Sequence, residues 1–233
     1  MRVRTIFTFV VVIAAVVAFR ATGSVHWAVL EFGLSEGLLK ILLWVVPAVG
    51  ATMAADRVFL HDSWRTLGLD SRFGGYRFGF LATLPMAIIV VFFALGRLDS
   101  DELVGSVLLG PFAEEVLFRG FLFRRLLLDA GWRPPTAMVA SAALFGLAHL
   151  GTPGQGIVDL ILLAAGGLAF AWICFTRDSL WPAIGLHSFI NFWWVLSDTA
   201  PQASARLVSV GHLLSIATAL LITRRRGARM GNG

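Results

Sequence analysis

Apolar runs long enough, or nearly long enough, to cross a lipid bilayer recur along this whole chain, separated by short polar turns. A helix of about 20 apolar residues spans the hydrocarbon layer. Only helices and closed barrels satisfy their backbone N–H and C=O groups there. Of the 233 residues, 58% are hydrophobic and 14% charged, whereas a soluble domain carries about 25% charged residues. The sequence therefore predicts an all-α, polytopic membrane bundle.

Eight spans are expected, at about 5–19, 38–55, 78–95, 103–123, 136–150, 157–175, 180–196 and 207–222. The first follows Met1-Arg2-Val3-Arg4, a start that also suits a signal peptide. Arg20-Ala21-Thr22-Gly23 makes a poor cleavage site, however, so the span is expected to be retained. The third, 78–95, reads as continuous. The segment 56–77 is polar and basic but carries Trp64, Phe73 and Tyr76, so it is expected partly on the membrane surface. Gly131-Trp132-Arg133-Pro134-Pro135 and Arg177-Asp178 read as turns, and 151–156 as a loop.

Basic clusters fall at alternate ends of the spans, which predicts both termini on the cytoplasmic side of the cell membrane. The net charge of +5 resides in those clusters and gives no reason to expect nucleic acid as a partner. Cys174 is the single cysteine, which excludes an intrachain disulfide and a cysteine-ligated cluster. No internal repeat or soluble domain is evident. Residues 1–233 form one integral membrane domain, with 78–195 as the core that carries the chemistry.

That chemistry is visible because ionisable groups are costly at bilayer depth, roughly 2.5–3.5 kcal/mol each on insertion scales. Glu114, Glu115 and Arg119 all fall in the fourth span. Glu115 and Arg119 are four apart and share a helix face, so they can pair. Glu114 points about 100° away and is left without that partner. Phe145 and His149 share a face of the fifth span, and His187 and Asn191 one of the seventh. With ~1.5 Å rise per residue, Glu114 stands about 13 Å from the cytoplasmic end of its span, His187 about 10 Å and His149 about 20 Å. His149 looks too high to meet the other two. His26 and His61 fall in loops and His212 stands alone in the last span, so packing roles are expected for them.

The three patterns, E-E-x-x-x-R at 114–119, F-x-x-x-H at 145–149 and H-x-x-x-N at 187–191, resemble the motifs of the CPBP family. That family includes type II CAAX prenyl endopeptidases, bacteriocin-processing and self-immunity proteins, and abortive-infection proteins. The resemblance covers about 78–195, with all three motifs in order. It implies an intramembrane endopeptidase in which Glu114 and His149 activate a water. His187 and Asn191 would bind the oxyanion, and Glu115, Arg119 and Phe145 would support the site. The implied substrate is a peptide or membrane-anchored protein, whose prenylation nothing in the sequence decides.

Other protease chemistries lack their signatures: there is no H-E-x-x-H, no G-x-S-x-G and no pair of Asp residues deep in the spans. Glu114, His149 and His187 would make a plausible zinc set. Asn191 suits an oxyanion better than zinc, so no cofactor is expected to be required, with Zn²⁺ as the alternative. The competing class is a non-enzymatic membrane protein, either an immunity protein acting by binding or a proton-coupled transporter. A mirrored second half, common in transporters, is not evident.

Overall fold

The computed structural model describes residues 2–26, 34–69, 74–97, 100–150, 156–198 and 202–227, and all regular structure among them is helical. In chain order the helices are α1 (Arg2–His26), α2 (34–56), α3 (Leu60–Thr66), α4 (Gly74–Ala82) and α5 (Leu84–Ala94). They continue with α6 (100–129), α7 (Pro134–Ala148), α8 (Ile157–Arg177), α9 (Trp181–Ser197) and α10 (Gln202–Gly227). Most of 151–156, expected as a loop, lies outside the described residues.

Four segments are long and apolar enough to cross a membrane: Val3–Thr22, Glu36–Asp56, Leu160–Arg177 and Arg206–Thr223. The bent pair α4 and α5 makes a fifth if it is one span. This is an integral membrane protein. The motif-bearing helices do not reach that standard: α7 has 15 residues and α9 has 17. They and α6 are instead the inner helices. Every residue from Val116 to Phe123 is buried, and Phe118, Phe145 and Leu186 share one apolar core with them. Apolar side chains such as Val10, Ile161 and Leu213 are exposed on the outside of the bundle, a surface that suits lipid.

Two expectations change in the structure. The third span is not continuous, because α4 and α5 meet at a 49° bend. Pro85 follows the break and lacks the N–H a straight helix needs, while its ring crowds the carbonyl four residues earlier. Thr83, at the bend, accepts a hydrogen bond from Trp193 Nε1 at 3.2 Å. The surface segment 56–77 also sends part of itself inward. His61 lies in α3 rather than in a loop, and Leu67 just beyond it is 1% exposed within the core.

Helix α6 runs on past Phe123 to Asp129, and this removes the mismatch in depth. Glu114 then stands 15 residues from the end of α6, and His149 15 residues from the start of α7 at Pro134. Helix α9 starts at the level of Gly120, where Leu180 N–H donates to Gly68 O at 2.9 Å and a Cβ on Gly120 would meet Leu67 O at 2.9 Å. From that shared level His187 and Glu114 are each about 10 Å along their own helices.

Helices α4 and α9 touch backbone to backbone. A Cβ on Gly79 would lie 2.0 Å from the carbonyl carbon of Gly185. Gly79→Ala should therefore force the two helices apart and cost about 1–3 kcal/mol or more, the range of an overpacked core. The matching control is Gly50, whose Cβ would meet nothing within 4 Å. Gly50→Ala should hold or raise the melting temperature in detergent while Gly79→Ala lowers it.

Candidate active site

The pair expected from spacing alone forms. Arg119 Nη1 donates to Glu115 Oε1 at 2.9 Å, and both side chains are fully buried. The guanidinium is packed between rings, 4.3 Å from the Phe145 centroid and 5.2 Å from that of Phe170. Its Nε and Nη2 have no hydrogen-bond partner, so ring faces supply the rest of its surroundings by cation–π attraction. The same oxygen of Glu115 faces His187 Nδ1 at 2.9 Å. One carboxylate thus joins Arg119 to His187 across two helices, and Phe170 stacks on the imidazole at 4.9 Å and 17°.

Glu114 faces the other way, as expected, but it is not without a cation. Lys40 Nζ, from α2, lies 2.8 Å from its Oε1 and 2.8 Å from Glu36 Oε1. Its Oε2 faces two imidazoles, His187 Nε2 at 3.6 Å and His149 Nε2 at 3.9 Å. The sequence reading missed Lys40. Near the start of an apolar run, a lysine looks like the interfacial cations that set topology.

His149 ends α7, and its ring is fixed by its own helix. Nδ1 lies 2.8 Å from Phe145 O, and a carbonyl only accepts, so the hydrogen sits on Nδ1. When the ring is neutral, Nε2 then presents a lone pair toward Glu114. Phe145 contributes its ring as well, edge-on to His149 with centroids 4.8 Å apart. Arg20 of α1 caps the same helix end, donating to Ala148 O at 2.7 and 3.1 Å and to Leu150 O at 2.7 Å. Such donors satisfy carbonyls that a helix C-terminus leaves open.

Asn191 and His187 line one cavity of about 310 Å³ with Ser106, Phe170 and Ile190. Asn191 Nδ2 donates to Ser106 O at 2.9 Å and retains a second hydrogen. His212, expected to have only a packing role, lines the same cavity. Trp194 Nε1 donates to its Nδ1 at 3.2 Å. Cys174 is buried and in no disulfide, and His61 is exposed beside Asp62.

Residues 84–193 match the family model described as type II CAAX prenyl endopeptidase Rce1-like. Over that segment the chain is similar to the Rce1-like family. All three motifs lie within the matched segment, which is consistent with a protease of the CPBP family and points to intramembrane cleavage of the CAAX type. No curated protein and no solved structure matches the chain. Lys40 and Arg20 both come from helices that precede the Rce1-like segment.

Proposed function

We propose that the chain is an intramembrane endopeptidase that hydrolyses a peptide bond of a peptide or membrane-anchored protein, with Glu114 as general base. The observation that carries this reading is the convergence of Glu114 Oε2 with two imidazole nitrogens at 3.6 and 3.9 Å. With the His149 ring neutral, Glu114 Oε2 and His149 Nε2 both accept, so a water that bridges them gives one hydrogen to each. Glu114 takes the proton as the water oxygen adds to the scissile carbonyl. The oxyanion meets the second N–H of Asn191. It also meets Nε2–H of His187 when that ring is protonated, with Glu115 as the counter-charge the cation needs. Collapse breaks the C–N bond, and Glu114 passes its proton to the leaving amine. The cavity beside His187 and Asn191 takes the substrate. Its apolar walls, among them Leu162, Leu163 and Val195, suit aliphatic side chains.

Zinc does not fit this donor set well. Glu114 is already paired at 2.8 Å with an ammonium, and a divalent ion would have to share the carboxylate with it. Among the described residues, no group of three or more His, Cys, Asp or Glu is arranged to hold a metal. We therefore favour hydrolysis with no cofactor. Exhaustive chelation should leave cleavage within about twofold. Elemental analysis showing one zinc per chain, lost in His187→Ala and kept in Asn191→Ala, would reverse this.

The same reading takes residues 78–195 as the protease core, which encloses the matched segment 84–193. It has eight spans, with α6, α7 and α9 completing the count and both termini on the cytoplasmic side of the cell membrane. The basic residues at the ends of alternate spans support that placement. Cysteine labelling from either side of sealed vesicles tests the orientation.

A further inference from the structure

We propose that Lys40 is a positioning residue of the hydrolytic site: its ammonium anchors one oxygen of Glu114 so that the other faces His149 and His187. This rests on Glu114 acting as the base, and it adds to the site a residue from outside the Rce1-like segment.

The two oxygens of Glu114 are divided between partners of different kinds. Oε1 meets Lys40 Nζ at 2.8 Å, a hydrogen-bonded ion pair, while Oε2 meets the imidazoles only at 3.6 and 3.9 Å. A carboxylate turns readily about its last bond, since such a terminal torsion is broad and two-fold. The long contacts to the imidazoles do not stop that turn, and the short charge-assisted one does. Arg119 cannot serve, because it is engaged with Glu115 at 2.9 Å.

Lys40 is itself held from several sides. Glu36, one turn earlier on α2, binds the same nitrogen at 2.8 Å. The rings of Phe19 and Trp44 flank it, each with its centroid 5.6 Å from Nζ. Helix α2 reaches Glu114 because its first turn lies against glycine. A Cβ on Gly37 would stand 2.8 Å from Leu109 Cβ and 3.0 Å from Gly105 Cα. With the side chain of Lys40 11% exposed, its ammonium has little water to turn to. Each glutamate of the motif therefore has its own cation, Arg119 from the same helix for Glu115 and Lys40 from α2 for Glu114.

The test uses the full chain in detergent and, as probe, a quenched fluorogenic peptide ending in a prenylated CAAX sequence. Lys40→Met should lower kcat by about 10²-fold, the scale of a misplaced catalytic group, and leave KM within about threefold. Lys40→Arg, which keeps a charged donor, should recover at least tenfold of that loss. If Lys40→Met does not yield folded protein, Lys40→Gln takes its place with the same expected loss. A charge needed only for folding would lower yield and melting temperature but leave kcat of the folded fraction intact. That outcome, or a folded Lys40→Arg no faster than Lys40→Met, would overturn the proposal while a dead Glu114→Gln left the base assignment standing. A folded Glu114→Gln that keeps more than a tenth of wild-type kcat would remove the base assignment itself. A melting-temperature double-mutant cycle of Lys40→Met with Glu114→Gln adds a readout independent of turnover. Additive effects there would also count against the proposal.

Discussion

Glu114→Gln should lower kcat for peptide cleavage by about 10³-fold, inside the range a positioned general base supplies. The substitution keeps the shape of the side chain and leaves an amide oxygen able to accept from Lys40, whose Nζ lies 2.8 Å from Oε1. It removes the one property the proposed mechanism needs, the capacity to take a proton from water and return it to the leaving amine. Folding should survive, because Lys40 keeps Glu36 as its counter-ion at 2.8 Å and the volume is unchanged. The comparison to make is with Glu115→Gln, which weakens the contact to His187 Nδ1 and should cost less turnover than Glu114→Gln. A Glu114→Gln protein of normal melting temperature that keeps more than a tenth of wild-type kcat would end the assignment.

Arg119→Ala should act on folding first. The side chain is fully buried and is one of the largest such groups in the protein. Its loss removes the 2.9 Å bond to Glu115 and empties the space between Phe118, Phe145 and Phe170 that the guanidinium fills. Glu115 then remains buried with an oxygen that already lacks a partner, Oε2. Breaking a buried pair in this way costs about 3–5 kcal/mol. For a chain of this size that is roughly 10 °C or more in melting temperature. Arg119→Lys keeps the charge but loses the flat face that stacks on the rings, so it should fall between the two. A stable but inactive Arg119→Ala would place Arg119 among the groups that handle substrate.

Much of the site was legible because charge inside hydrocarbon is expensive enough to mark itself. Glu114, Glu115, Arg119, His149 and His187 stand out from an apolar background, and spacing alone pairs Glu115 with Arg119. The same rule applies to Lys40, but a cation six residues into a helix resembles an interfacial one until its neighbours are known. Phe170 was illegible for the opposite reason: nothing separates a ring that stacks on an imidazole from the rings that face lipid. The bend at Thr83 had its sign in Pro85, yet a proline in a span is compatible with either a kink or a straight helix whose neighbours compensate. The continuation of α6 to Asp129 was hidden by Arg124 and Arg125, which read as the end of a span. Their pairing with Asp178 and Asp56 is a tertiary fact with no local signal.

The pairing of Lys40 with Glu114 also bears on the order in which the chain is made. The two residues are 74 apart in sequence, so a ribosome delivers α2 to the membrane well before α6. Lys40 does not arrive alone, for Glu36 on the same helix is a counter-ion within one turn. Arg119 and Glu115 likewise travel as a pair within a single turn. Glu114 has no such companion on its own helix. When it emerges, its cation is already in the bilayer, placed there by a helix synthesised earlier. Synthesis from the N-terminus thus supplies the receiving charge before the carboxylate that needs it.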